Sequence, residues 1–150
     1  MSVSVENLTK IYGEQRAVDE VSFEARRGEV LGFLGPNGAG KTTTMKMITC
    51  FIPPSSGSAR VCGYDVEEDP MAVRCCIGYL PEHNPLYPDM YVKEYLTFVA
   101  GLHQVKRVRQ RVAEMIEHTG LEREQHKLIG ALSKGYRQRV GLAQAMLHDP

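Results

Sequence analysis

Residues 30–48 read VLGFLGPNGAGKTTTMKMI: an apolar run, a glycine-rich turn, then a lysine and three threonines opening a segment free of Gly and Pro through Cys50. Gly35, Gly40, Lys41 and Thr42 satisfy G-x-x-x-x-G-K-[ST], the pattern of a phosphate-binding loop. The chemistry follows from the residue types. Glycines let the backbone curl with its N–H groups turned inward, forming a concave anion site. A helix starting at Lys41 would aim the positive end of its dipole at the same place. Lys41 adds a point charge for the outer phosphates, and the Thr42 hydroxyl is a hard oxygen suited to Mg²⁺. Upstream, VLGFL is the short continuous apolar run expected of a parallel strand buried on both faces. Strand, loop and helix together predict an α/β nucleotide-binding core.

Working outward, the composition sets bounds. The chain has 150 residues, enough for one domain, and its 43% hydrophobic content suffices for a core. Eighteen basic and eighteen acidic residues balance to zero, so nucleic acid is not an expected partner. No apolar run approaches the ~20 residues of a membrane span. The opening MSVSVENLTK lacks the basic and apolar regions of a signal peptide. Cys50, Cys62, Cys75 and Cys76 show no C-x-x-C spacing, which predicts reduced thiols of a cytosolic protein. Histidines are scattered singly, and no metal site made of protein ligands alone is expected.

Before the loop, Val3 and Val5, then Val21, Phe23 and Ala25, alternate with polar neighbours and predict half-buried strands, with a short segment near Ala17–Asp19 between them. After it, Pro53-Pro54-Ser55-Ser56-Gly57 breaks the helix, Ser58–Val61 predicts a strand and Cys62-Gly63-Tyr64 a turn. Asp69-Pro70 predicts a helix start with aspartate as N-cap, and Ile77–Leu80 another short apolar strand. From Pro81 to Asp89, PEHNPLYPD holds three prolines and cannot be regular structure. Beyond it the chain turns helical: Val92, Tyr95, Leu96, Val99 and Leu102, then Val105, Val108, Val112, Met115 and Ile116, recur at helical spacing. Gly120 suits a C-cap, and Leu132-Ser133-Lys134-Gly135 precedes a last helix to about Leu147. The expected organisation is a strand-rich core over 1–80, a linking loop over 81–91 and a helical subdomain over 92–150.

These motifs, in this order, resemble the nucleotide-binding domain of ATP-binding cassette (ABC) transporters, a P-loop NTPase fold. The resemblance covers the whole chain. GPNGAGKTT at Gly35–Thr43 matches the family's phosphate loop and assigns Asn37, Gly38, Ala39 and Thr43 to it beside Gly35, Gly40, Lys41 and Thr42. Tyr12, near the end of the first strand, is similar to the aromatic residue that stacks on adenine, although without that context strand-edge packing is the reading to expect. GYLPEHNPLY at Gly78–Tyr87 resembles the loop joining core to helical subdomain, and LSKGYRQRVGLAQAMLHDP at Leu132–Pro150 resembles the signature motif with its helix.

The resemblance implies that ATP, with Mg²⁺, lies between one copy's phosphate loop and another's signature, giving a head-to-tail homodimer. Gly135 would approach the γ-phosphate and Ser133 would offer a hydroxyl, whereas Ser133 without this context is an ordinary N-cap. A separate transmembrane permease is the implied partner, so the expected location is cytoplasmic, peripheral on the inner face of the membrane. The catalytic set carried over is Lys41 and Glu82, with Thr42 and Glu82 at the metal.

Departures from the family pattern are informative. Glu82 stands where glutamine is usual, and a carboxylate is the stronger Mg²⁺ ligand. Lys134 and Tyr136 replace the commonest glycine and glutamine of the signature. With the proline-rich loop, these resemble the branch serving two-component exporters, including gliding-motility-associated subunits. The family's catalytic aspartate–glutamate strand and its histidine switch, which follow the signature, have no counterpart before Pro150. An N-terminal fragment is therefore expected, with weak or absent turnover and an exposed edge at VLGFL. Rival expectations are an ATP-binding module without hydrolysis, a soluble cassette protein acting on ribosomes or DNA, and a GTPase or kinase. The last is disfavoured because no Asn-Lys-x-Asp motif is present.

Overall fold

In the computed structural model, which describes residues 2–150, the first eighty residues are organised by an antiparallel sheet. Strand β1 (Val3–Tyr12) turns at Gly13 into β2 (Gln15–Ala25), and β3 (Ser56–Val61) with the two-residue β4 (Tyr64–Asp65) completes the order β2-β1-β3-β4. Val5 lies opposite Phe23 on one side and Ala59 on the other. The register slips between Val5 and Leu8, where Asn7 takes a positive φ of 47°. That slip re-phases the strand, so Val5 and Leu8 both reach the core despite their odd spacing. Gly57 packs against the same irregularity: a Cβ there would stand 2.2 Å from the Asn7 carbonyl oxygen.

Helix α1 (Lys41–Ile48) lays Met47 and Ile48 against Val5, Leu8, Val61 and Val73, the last from α2 (Pro70–Cys76). Proline sits at the start of α2, where its missing N–H costs nothing. This first compact unit is Met1–Ile77.

The second unit, Gly78–Pro150, is helical. Helices α3 (Val92–Leu102), α4 (Val108–His118) and α5 (Lys134–Met146) bury Leu96, Val112, Met115, Leu121, Val140 and Leu147 in one core. Glu94 accepts the Tyr91 N–H at 3.2 Å, half of a capping box at the start of α3. Gly120 follows α4 with φ +64°, the left-handed exit glycine supplies without strain. Arg111 on α4 fastens the end of α5, donating to the carbonyls of Leu147 (3.0 Å) and Met146 (2.8 Å) and pairing with Asp149.

Four expectations are corrected. VLGFL is not a strand: residues 30–34 are irregular, with Val30 98% and Leu34 93% exposed. A buried parallel strand is defined by its neighbours' hydrogen bonds, and no strand among the described residues pairs with this one. Ile77–Leu80 forms no strand for the same reason. Ala17–Asp19 is not a separate segment but part of β2. Asp69 occupies the N-cap position of α2 but makes no side-chain cap hydrogen bond, its φ/ψ of −123°/48° differing from the β-region geometry a cap requires. Leu102, the last residue of α3, closes the helical spacing expected there and is exposed.

Candidate functional site

The predicted residues fall on both units. In the first, the loop from Gly35 to Gly40 leads directly into α1, whose first three residues are Lys41, Thr42 and Thr43. Gly38 and Gly40 hold φ of +85° and +80°, left-handed angles that L side chains rarely adopt. Gly40 also lies flush against β2, so that a Cβ would meet the Ala17 carbonyl oxygen at 2.3 Å. The turn closes with the Ala39 N–H donating to the Pro36 carbonyl (3.2 Å), and α1 begins with the Thr44 N–H on the Gly40 carbonyl (2.8 Å).

Lys41 bends back across the loop. Its Nζ donates to the carbonyls of Gly35 (2.6 Å) and Pro36 (2.7 Å), which holds the ammonium over the turn. Asn37, Gly38, Ala39 and Thr42 are exposed around it. A curled, open loop at a helix start, spanned by one cation, suits the oxygens of a phosphate chain. At the start of α1 the exposed Thr42 hydroxyl is a hard oxygen of the kind that suits Mg²⁺. Tyr12 ends β1 with its ring half exposed, and the Lys10 ammonium stands 5.4 Å from the ring centroid. Lys10 is itself anchored on the Pro53 carbonyl at 2.6 Å, which leaves Tyr12 an aromatic surface beside a fixed cation.

In the second unit, Ser133 is the N-cap of α5, its Oγ accepting the Tyr136 N–H at 3.4 Å, and exposed Lys134 and Gly135 form the helix's first turn. Glu82, also exposed, lies on the proline-rich loop, and its backbone carbonyl accepts from Gln138 Nε2 at 3.2 Å. The loop thus rests on α5, with a cleft of about 290 Å³ between them lined by Glu82, His83, Asn84, Lys134, Arg137 and Gln138.

Three members of that arrangement escape a reading of the sequence. Asn84 buries its amide nitrogen, without a hydrogen-bond partner, in the notch at Gly141, where a Cβ would overlap it. Arg137 donates to the Leu132 carbonyl and so braces the turn that carries Ser133. Gln138 ties the helix to the loop. The one available signal was Gly141, since a glycine inside a helix marks a close approach. No helix among the described residues is long and apolar enough to cross a membrane, and no group of three or more His, Cys, Asp or Glu among them is arranged to hold a metal.

The family model described as "ABC transporter" matches residues 18–150. The chain is 41% identical over 150 residues to the uncharacterized ABC transporter ATP-binding protein YxlF of Bacillus subtilis (strain 168), covering 99% of this chain and 49% of that one. To the Nod factor export ATP-binding protein I of Ralstonia nicotianae it is 38% identical over 151 residues, covering 99% and 47%. It therefore spans about half the length of these curated relatives. Among solved structures it superimposes on the dimeric MJ0796, a bacterial ABC transporter cassette, with a TM-score of 0.86 at 25% identity, covering 99% of this chain and 70% of that one. Its antiparallel strands, phosphate-loop helix and helical unit are those of an ABC ATPase fold, and the chain belongs to the ABC transporter family, among its ATP-binding proteins.

Proposed function

We propose that this chain binds ATP with Mg²⁺ as part of the energy-coupling subunit of an exporter, working through a separate transmembrane permease at the cytoplasmic face of the membrane. The observation that carries the reading is the spanned phosphate loop, in which left-handed Gly38 and Gly40 curl the backbone and Lys41 lies across it. In this reading Gly35 and residues 37–43 cradle the phosphates and Tyr12 stacks on the base. Thr42 and Glu82 hold the Mg²⁺, which, when bound, offsets charge on the phosphates. Ser133 and Gly135 serve the nucleotide held by a second copy, head to tail. Support for that arrangement comes from the dimeric state of MJ0796, and support for export from the Nod factor relative. The narrower assignment to gliding-motility exporters rests on Glu82, Lys134 and Tyr136 alone.

Hydrolysis belongs to the whole protein in this proposal. The residues assigned within the 150 bind and orient, with Glu82 the one carboxylate among them. Thermal melting of the purified chain with Mg-ATP, Mg-GTP or neither tests the core of the reading. ATP is expected to raise the midpoint more than GTP does, and Lys41→Ala to remove the rise. An equal response to the two nucleotides, or one that survives Lys41→Ala, would overturn it. Crosslinks from residues 82–89 in cells to soluble proteins only would count against the permease.

A further inference from the structure

The charges of this chain sum to zero, yet one corner of the second unit carries an unbalanced positive charge. From Tyr95 to Ala113 the sequence holds Lys106, Arg107, Arg109 and Arg111 and no acidic residue. The fold puts them where α3 turns into α4, on a corner that is fixed rather than loose. There the Val105 N–H donates to the Ala100 carbonyl (3.0 Å), and the Val105 side chain packs on the core. Arg111 is engaged with Glu114, Asp149 and the end of α5. Lys106, Arg107 and Arg109 are exposed and form no ion pair among the described residues. Two apolar side chains stand just before them in the chain. Leu102, the last residue of α3, is 67% exposed, and Phe98, one turn earlier on the same face, is exposed as well. A recess of about 340 Å³ opens in the corner, with Lys106, Arg111, His103 and His148 on its walls and Asp149 as its one carboxylate.

We propose that this corner rests on a membrane surface bearing anionic phospholipids, with Lys106, Arg107 and Arg109 on the headgroup phosphates and Leu102 entering the boundary with the acyl chains. The inference rests on the reading that this chain works at a membrane face, and adds to it a contact with lipid that the permease does not mediate. Charge and polarity together select the bilayer. A nucleic acid would use the cations and leave Leu102 and Phe98 in water, whereas an apolar protein groove would take the leucine and strand three cations. A bilayer surface takes both. Lys106, Arg107 and Arg109 also repel one another, and an anionic surface removes that repulsion. Each basic side chain raises partition onto such a surface about fivefold, so the attachment is weak by itself. Salt screens it further. Weak attachment suffices for a surface that a permease already holds near the bilayer, since the second contact is then intramolecular.

The test is flotation of the chain in a density gradient with vesicles of phosphatidylcholine alone or mixed with phosphatidylserine. The chain is expected to float with the serine-containing vesicles at low salt, to be released as salt rises, and to stay down with phosphatidylcholine alone. Lys106→Glu with Arg109→Glu should lower the partition about 25-fold or more. Arg26→Glu with Arg27→Glu, an equal charge change on exposed residues of the first unit, should leave it nearly unchanged. Leu102→Ser, at constant charge, should lower it several-fold, which a nucleic-acid surface would not require. Circular dichroism checks each variant; if the corner reversal fails to fold, Arg107→Gln with Arg109→Gln carries the prediction. Equal flotation on neutral vesicles, flotation that survives the corner reversal, an equal loss with the Arg26 and Arg27 reversal, or indifference to Leu102→Ser would each overturn the proposal. Because the vesicles hold no permease, the result is independent of the crosslinks that test the permease. Failure to float with an intact thermal response to Mg-ATP would strike this surface and leave the nucleotide reading standing.

Discussion

Gly40 answers to two constraints where Gly38 answers to one. Both adopt left-handed backbone angles, but only Gly40 lies against β2, with the Ala17 carbonyl 2.3 Å from the place a Cβ would take, whereas Gly38 faces open space. Gly38→Ala should therefore cost about 1–2 kcal/mol of folding free energy, the penalty of the left-handed region alone. Gly40→Ala should cost more, about 3 kcal/mol or beyond, because rigid backbone must also move aside. Urea unfolding of the two variants measures the difference, and equal losses would mean that the contact with β2 relaxes freely. Tyr12→Ala leaves the fold intact and, if the ring stacks on the base, weakens ATP binding by about 1–3 kcal/mol in calorimetric titration; unchanged affinity would return Tyr12 to edge packing. Legibility at this scale follows locality. Positions 35–43 are one contiguous motif whose residue types carry their own backbone requirements, so sequence alone exposes them. The Asn84 amide in the notch at Gly141 joins residues far apart in the chain, and nothing near either one announces the other.

Helix ends show the same division between position and bond. Both Asp69 and Ser133 sit where an N-cap belongs, yet only Ser133 accepts a backbone N–H, and that at a long 3.4 Å. Ser133→Ala should cost about 0.5 kcal/mol, the low end for a cap, and Asp69→Ala close to nothing. A larger loss at Asp69 would mean that its cap bond forms in solution. Where α3 ends, His103 stacks on His148 with ring centroids 4.3 Å apart, near Lys106, Arg111 and Asp149. Burial first, then the charge of His148, lowers the His103 pKa below 6.5, its ordinary value. The folded state thus binds this proton less readily than the unfolded chain does. The contribution to stability is complete above about pH 6.5 and is lost as pH falls below it towards the depressed folded value. His103→Gln should flatten the dependence of unfolding free energy on pH between 7.5 and 5.5; an unchanged slope would assign that dependence to other groups.

At the scale of the whole molecule, the apolar run that made the sequence readable is the part the fold leaves uncovered. VLGFL has the composition of a strand buried on both faces and directly precedes the glycine-rich loop. It forms no strand, because a parallel strand has no conformation of its own apart from its neighbours. The antiparallel strands could be read from their own alternation, since β1 and β2 are joined by one tight turn and pair with each other. The parallel run needs partners brought from elsewhere, and none of the described strands supplies them. Val30 and Leu34 therefore meet water almost fully, at 98% and 93% exposure. Burying such side chains is worth about 1.5–3 kcal/mol each, and unpaired backbone N–H and C=O groups beside them offer a template for another chain. The 150-residue chain should accordingly self-associate through residues 30–34. Sedimentation velocity over about a tenfold range of concentration is expected to show larger species growing with concentration for the unaltered chain, and a single small species for Val30→Lys. Thermal response to ATP should persist in that variant, since Val30 lies outside the loop. A monomer at every concentration in the unaltered chain would mean that the segment finds cover within its own chain in solution.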